Sequence, residues 1–129
     1  MSGQPTFLFS SLTVALGGGI GAWLRFAVGR IVGFSAYPWA TLLVNVSGSF
    51  AMGLLAGWLA RHSADGEFWR LLLGVGLLGG FTTFSAFSLE LVNLAQRGSI
   101  ALAFGYALIS VLAGVLGLFA GLAVMRVTT

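Results

Sequence analysis

The sequence predicts an all-α membrane protein with four transmembrane helices. Hydrophobic residues make up 58% of the 129 residues and charged residues only 7%, whereas roughly a quarter of a soluble domain is charged. So few charged side chains cannot cover the surface of a water-soluble domain of this size. Four uncharged runs, each close to or above the roughly 20 residues that a helix needs to cross a bilayer, account for nearly all of the chain. Lipid is therefore the expected solvent for most of the exterior.

The four runs set the bounds of the predicted helices, in one domain that covers residues 1–129. The first run begins at Phe7, and its helix is expected to continue past Arg25. The segment before Phe7 has no basic stretch and no small-residue cleavage site, so this run is expected to be a span rather than a removable signal. Pro38 suits the start of the second helix, because its missing N–H is no loss there. The predicted spans cover about residues 7–31, 39–60, 70–95 and 98–126.

The arginines do not favour one orientation. With four spans both termini lie on one face of the membrane, and positive charge near short loops normally selects the cytoplasmic face. The face with the termini receives Arg61, Arg70 and Arg126, and the opposite face receives Arg25, Arg30 and Arg97. Two interpretations stay open: a weakly oriented chain that relies on partners, or a chain that inserts both ways and forms an antiparallel dimer. Four short helices offer little material for a solute pathway in one protomer, which favours the dimer.

The third run carries the densest polar sequence at membrane depth. Gly79 and Gly80, which lower helix stability, precede the β-branched pair Thr82 and Thr83. A helix broken within residues 79–83 would release backbone carbonyls that need partners, and a hard cation is one such partner. In the other interpretation the helix is unbroken, and its Ser and Thr hydroxyls bond back to their own turns.

Side chains on the second and third runs are candidates for lining a solute pathway, since polar groups at membrane depth usually face protein or water. Asn45 can donate to an anion or join two helices by hydrogen bonds, and Thr41 lies one turn before it. Phe84 and Phe87 share a helix face. They are either packing residues or present electropositive ring edges to an anion.

Further hydroxyl groups would extend a polar track. Ser85 and Ser88 form a stripe next to the phenylalanine pair, and Tyr106 and Ser110 are spaced i, i+4 on the fourth helix. Tyrosine is also typical of the aromatic belt at a membrane interface, so both interpretations of Tyr106 stay open.

Two charged residues lie close to the membrane interior. Arg25 either extends to the interface or supplies positive potential at an aqueous vestibule. Glu90 is expected near a mouth, or hydrogen-bonded to neighbouring hydroxyls.

Composition and motifs exclude several function classes. The chain has no Cys, which rules out a disulfide framework and a thiolate metal site. It contains no Ser/His/Asp set, no pair of membrane-embedded carboxylates and no nucleotide-binding loop, so we do not expect an enzyme. The arginines are dispersed rather than clustered, so we do not expect a nucleic-acid partner either.

The chain resembles the Fluc family of fluoride channels, also called CrcB proteins. Three motifs carry the resemblance: Gly18-Gly19-Ile20-Gly21-Ala22-Trp23-Leu24-Arg25 in the first helix, Thr41-Leu42-Leu43-Val44-Asn45 in the second, and Gly79-Gly80-Phe81-Thr82-Thr83-Phe84-Ser85-Ala86-Phe87-Ser88 in the third. The third motif is highly specific. The resemblance runs from about Leu16 through the fourth span, and so covers nearly the whole chain.

The resemblance implies a passive, fluoride-selective channel in the cell (inner) membrane that exports fluoride and lowers its toxicity. It implies a dual-topology antiparallel homodimer with two pores, in which the third helix breaks mid-membrane. Backbone carbonyls of Gly79 and Thr82 are then expected to hold a central structural Na⁺. The expected fluoride pathway comprises Asn45, Phe84, Phe87, Thr41, Thr83, Ser85, Ser88, Tyr106 and Ser110, with Arg25 in the vestibule.

One departure and two alternative functions accompany this resemblance. Ala86 stands where the family usually has Thr, which removes one hydroxyl from the polar track. The runner-up is a small dual-topology drug exporter, which needs a membrane carboxylate early in the chain. The first two helices have none, and Glu90 lies late in the third. A non-transporting scaffold subunit would not need polar residues in register on three helices.

Overall fold

The computed structural model describes residues 3–128, and these contain four helices that are long and apolar enough to cross a membrane. The helices span Phe7–Val32, Trp39–Leu59, Gly66–Gln96 and Ile100–Val127. This confirms the prediction of an all-α, multi-pass membrane protein with four spans.

The start of the third span differs most from its predicted position. It begins at Gly66 rather than at residue 70, because Gly66–Trp69, between the predicted second and third spans, is itself helical. Arg70 donates from Nε and from a terminal nitrogen to the two oxygens of Glu67, at 3.0 and 2.9 Å. Such pairs, three residues apart, stabilise a helical turn.

Local sequence explains where the other helices begin and end. The Thr6 side chain accepts a hydrogen bond from Phe9 N at 3.3 Å and so caps the first helix. Pro38 directly precedes the second helix, as predicted. Gly98 has a φ of 82° in the tight turn between the third and fourth spans, a conformation that glycine adopts without steric cost.

The third span is broken into two arms. The N-terminal arm, residues 66–81, is α-helical at both ends and π-helical over Arg70–Leu78. Thr82 and Thr83 are extended, with ψ values of 157° and 124°. The C-terminal arm spans Phe84–Gln96. The predicted break is therefore present, but it is narrower than the 79–83 segment expected to contain it, because Gly79–Phe81 is helical.

Two tight helix pairs build the bundle. The first helix packs along the N-terminal arm, and the second packs along the fourth. A Cβ atom at Gly21 would overlap the Leu77 carbonyl oxygen, and one at Gly80 would overlap the Gly18 carbonyl oxygen. Glycine at these positions lets the backbones approach closely, which promotes helix association in lipid.

The buried core is small and lies beside the C-terminal arm. Leu94, Ala103 and Tyr106 form it, and Phe87 is among the side chains packed against them. Most large apolar side chains point outwards, for example Phe104, which is 74% exposed. An apolar exterior of this kind is suited to a lipid environment.

Candidate functional site

The break in the third span is held by the side chains of its two threonines. Thr82 Oγ1 donates to the Leu78 carbonyl at 2.8 Å, which ties the end of the N-terminal arm to its last turn. Thr83 Oγ1 accepts from Ala86 N at 3.2 Å and caps the start of the C-terminal arm. The extended backbone that β-branched residues favour is thus combined with two local hydrogen bonds.

Asn45 of the second helix clamps the break from outside the span. Its Nδ2 donates to the Thr83 carbonyl at 2.9 Å, and Thr83 N–H donates to its Oδ1 at 2.8 Å. Both halves of the side-chain amide therefore bond the same residue. In this arrangement Asn45 joins two helices by hydrogen bonds, which is one of the two roles predicted for it; the other is donation to an anion.

The hydrogen bonds to Asn45 and to the Thr83 hydroxyl draw two backbone N–H donors away from the carbonyls of Gly79 and Thr82. In an unbroken helix Thr83 N–H would donate to the Gly79 carbonyl and Ala86 N–H to the Thr82 carbonyl. Here these donors go to Asn45 and to the Thr83 hydroxyl instead. The carbonyls of Gly79 and Thr82 lose their helical donors, so their oxygens fit the hard-cation ligands predicted at these two positions.

Arg25 reaches the same break from the first helix. Its Nε donates to the Gly80 carbonyl at 3.2 Å, another carbonyl whose helical donor the break removes. Sequence reasoning placed Arg25 at the vestibule and missed this contact, since no local pattern signals a bond between residues 55 positions apart.

A cavity of about 560 Å³ lies at the end of the bundle where Arg25 is found, and we call it the vestibule. Arg30 and Arg97 line it as well. Sequence reasoning did not assign either of them to the site, although the arginine count had already put all three on one face. The vestibule therefore has a positive lining that attracts anions.

Glu90 lies in the vestibule lining and holds two of the predicted pathway hydroxyls. Thr41 Oγ1 donates to its Oε1 and Tyr106 OH donates to its Oε2, each at 2.7 Å. The expectation that Glu90 bonds neighbouring hydroxyls is confirmed. Tyr106 is fully buried, so the alternative of an interfacial belt position for it is wrong. Both hydroxyls direct their hydrogens at the carboxylate in this conformation.

A second cavity of about 340 Å³, the inner cavity, lies on the other side of the break. Asn45, Thr83, Phe84, Phe87 and Ser110 line it, together with apolar side chains. The Phe84 and Phe87 rings are 5.8 Å apart between centroids. Among residues 3–128, the Ser110 hydroxyl is the one buried side-chain polar atom without a hydrogen-bond partner. A buried, unpaired hydroxyl is costly unless something occupies the cavity.

Three predicted pathway residues line neither cavity: Tyr106, Ser85 and Ser88. Ser85 is exposed on the C-terminal arm and approaches the Thr83 hydroxyl at 3.4 Å. Ser88 Oγ donates to the Phe84 carbonyl at 3.0 Å. Phe84 itself is 79% exposed, so this face of the arm is open in a single protomer.

Comparison with known families gives a match over most of the chain. The model of the family described as CrcB-like protein, Camphor Resistance (CrcB), matches residues 12–122. This range contains the broken span, the clamp and all three arginines of the vestibule.

Individual relatives agree with the family match. One from Novosphingobium aromaticivorans is 64% identical over 118 residues, covering 88% of this chain and 93% of the relative. Another from Rhodospirillum centenum is 52% identical over 118 residues, covering 89% and 94%. Both are named fluoride-specific ion channel FluC. A third, from Nitrobacter hamburgensis, is 51% identical with 89% and 95% coverage, and is named fluoride-specific ion channel FluC 2.

Proposed function

Because this chain belongs to the CrcB family, we propose that it is a passive, fluoride-selective channel that exports fluoride across the cell (inner) membrane and so limits fluoride toxicity. Its relatives are named as ion channels, a class distinct from enzymes. Within this chain, the observation that carries the proposal is an arginine-lined vestibule that leads to a break inside a membrane span.

The side chains around the break supply the chemistry that fluoride needs. Fluoride is small and holds its water tightly, so a selective pore must replace that water with donors of its own. The buried Ser110 hydroxyl is available for this, and Asn45 carries amide hydrogens. The ring edges of Phe84 and Phe87 carry partial positive charge and are suited to a desolvated anion.

The hydroxyls of Thr41, which lines the vestibule, and of Tyr106, which is buried behind Glu90, belong to the proposed pathway. Each donates a hydrogen bond to Glu90 in this conformation. Each hydroxyl would therefore have to rotate before it could donate to a passing anion. Hydroxyl hydrogens turn readily about the C–O bond. Arg25, Arg30 and Arg97 would raise the anion concentration at this mouth.

A central structural Na⁺ is part of the proposal. The Gly79 and Thr82 carbonyls would hold it, and the diversion of their helical donors supports this assignment. When bound, the cation would offset part of the desolvation cost of an anion nearby. Thermal denaturation in sodium and in choline salts tests it: the midpoint should rise with sodium concentration, and equal midpoints would count against the site.

We further propose that the working unit is an antiparallel homodimer with two pores. The tie of three arginines on each face supports dual topology. The open face of the C-terminal arm, with Phe84, Ser85 and Ser88, supports a pathway that a second copy completes. That second copy is the one protein partner in this proposal, and the bilayer surrounds both.

Fluoride efflux from proteoliposomes tests the proposed function. Vesicles loaded with potassium fluoride and treated with valinomycin should release fluoride to an electrode as soon as the potassium path opens. Vesicles loaded with chloride should release little. Absence of fluoride release, or equal chloride release, would refute the proposal, and strict dependence on a proton gradient would favour an exporter.

A further inference from the structure

The methyl group of Thr82 lies against a glycine of the second helix. Gly48 is buried. A Cβ atom added to it would overlap Thr82 Cγ2 and would lie 3.3 Å from Phe81 Cδ1. We call the space beside Gly48 that the Thr82 methyl group occupies the glycine seat. A side chain at position 48 would fill this seat and displace Thr82.

The Thr82 side chain is held at both of its branches. Its Oγ1 donates to the Leu78 carbonyl at 2.8 Å, and its Cγ2 occupies the glycine seat. Because both branches sit on one Cβ atom, a rotation that moves the methyl group out of the seat also breaks the bond to Leu78. The two contacts therefore fix Thr82 at the point where the chain leaves the helix, with a ψ of 157°.

The second helix cannot easily move away from Thr82 to make room. Its backbone is already in close contact with the fourth helix, since a Cβ atom at Gly53 would overlap the Leu118 carbonyl oxygen. One turn before Gly48, Asn45 holds Thr83 by hydrogen bonds of 2.9 and 2.8 Å. A larger residue in the seat would therefore shift the break itself.

Deepening the proposed function on which it rests, we propose that Gly48 is a positioning residue for the sodium site. It admits the Thr82 methyl group and thereby sets the direction of the Thr82 carbonyl. In an unbroken helix a hydrogen bond from Ala86 N–H would fix that carbonyl, but here this donor goes to the Thr83 hydroxyl. Steric contact at the Thr82 side chain takes the place of the missing bond.

Gly48→Ala, with and without Thr82→Ser, tests this inference by thermal midpoints in sodium and in choline salts. Gly48→Ala forces the methyl group out of the seat, so the rise of the midpoint should need about tenfold more sodium, and fluoride efflux should fall. Thr82→Ser removes the methyl group and keeps the hydroxyl, so combining it with Gly48→Ala should restore both. On its own Thr82→Ser empties the seat and should weaken the sodium response, so its effect should change sign between the two backgrounds.

Gly53→Ala is the matched control on the same helix. The added methyl group meets the Leu118 carbonyl oxygen of the fourth helix, and such overpacking destabilises a protein. The midpoint should therefore fall equally in both salts, the sodium-induced rise should remain, and Thr82→Ser should not restore the lost midpoint. General loss of packing would make Gly48→Ala behave in the same way.

The outcomes separate this inference from the proposed function. A parent protein without fluoride efflux overturns the proposed function and this inference with it. A parent that conducts fluoride but has equal midpoints in the two salts overturns the sodium site and the role of Gly48, and leaves fluoride conduction standing. A sodium-responsive parent whose Gly48→Ala variant responds as the parent does, or is not restored by Thr82→Ser, overturns the role of Gly48 alone.

Aggregation of Gly48→Ala would leave the decision to the double variant. A dispersed Gly48→Ala, Thr82→Ser protein whose midpoint rises with sodium supports the inference, because only the clash with the methyl group has been removed. A double variant that still aggregates overturns it.

Discussion

At the residue scale, the polar groups around the break differ in whether they already have protein partners. Asn45 is bonded to Thr83, and the hydroxyls of Thr41 and Tyr106 are bonded to Glu90. In the part of the chain that the structure describes, Ser110 stands apart with a buried hydroxyl and no partner. An ion moving through this region would therefore have to replace the existing hydrogen-bond partners of most of these groups. The Ser110 hydroxyl could bond the ion without losing a partner.

The sequence identified which residues carry polar groups, but their partners could not be predicted. Asn45 and Thr83 are 38 positions apart, and Thr41 and Glu90 are 49 apart. No periodicity within one helix encodes such pairs, because they depend on how helices pack. The interfacial interpretation of Tyr106 was wrong for the same reason, since its burial is set by the neighbouring Tyr37 and Phe87 rings.

Replacing Phe84 by isoleucine tests the aromatic part of the pathway. Phe84→Ile preserves an apolar side chain but removes the electropositive ring edge, so fluoride efflux should fall by about tenfold, or about 1.4 kcal/mol of lost stabilisation. Phe104→Ile serves as the control, because Phe104 is 74% exposed on the fourth helix and lines neither cavity. Equal loss of flux in both variants would mean that Phe84 acts through general packing.

At the element scale, the third span shows how far local sequence reasoning reaches. Charge-free runs predicted four helices because lipid excludes charged side chains. The Gly79-Gly80 pair indicated a break by its low helix propensity. Both glycines are helical, and Gly80 lies where the Gly18 backbone leaves no room for a side chain. The chain leaves the helix at Thr82 instead, where Asn45 replaces the lost hydrogen bonds.

A pair of alanine substitutions on the first helix tests the glycine contacts. Gly21→Ala places a methyl group against the Leu77 carbonyl, and overpacking of this kind costs about 1–3 kcal/mol. Gly19→Ala adds the same methyl group where, apart from its chain neighbours and the backbone of its own helix, none of the described residues has an atom within 4 Å. The melting midpoint in detergent should fall for Gly21→Ala and stay unchanged for Gly19→Ala. A common midpoint would show that the two helices adjust without strain.

At the scale of the whole molecule, one protomer presents only part of the proposed pathway. The vestibule and inner cavity are defined within it, whereas the face with Phe84, Ser85 and Ser88 lies open. In the proposed dimer, the balance of arginines would let the two copies insert in opposite orientations. An inverted second copy would cover that face and bring a second set of Gly79 and Thr82 carbonyls to the proposed cation.

Charge bias tests the antiparallel arrangement. Gly3→Lys with Gln4→Lys adds two positive charges to the face with the termini, which should fix one orientation. Cells that express only this variant should show no fluoride efflux. Co-expression with the oppositely biased Ile31→Lys, Ser99→Lys variant should restore the efflux. Full efflux from either variant expressed alone would exclude an obligatory inverted pair.

The reversal potential of a single purified protein in a planar bilayer tests the central claim most directly. A passive fluoride-selective pore under a tenfold fluoride gradient, with chloride equal on both sides, should reverse close to the fluoride equilibrium potential of about 59 mV. An added pH gradient should not move it. A reversal near zero, or one that follows the pH gradient, would contradict passive and selective fluoride conduction.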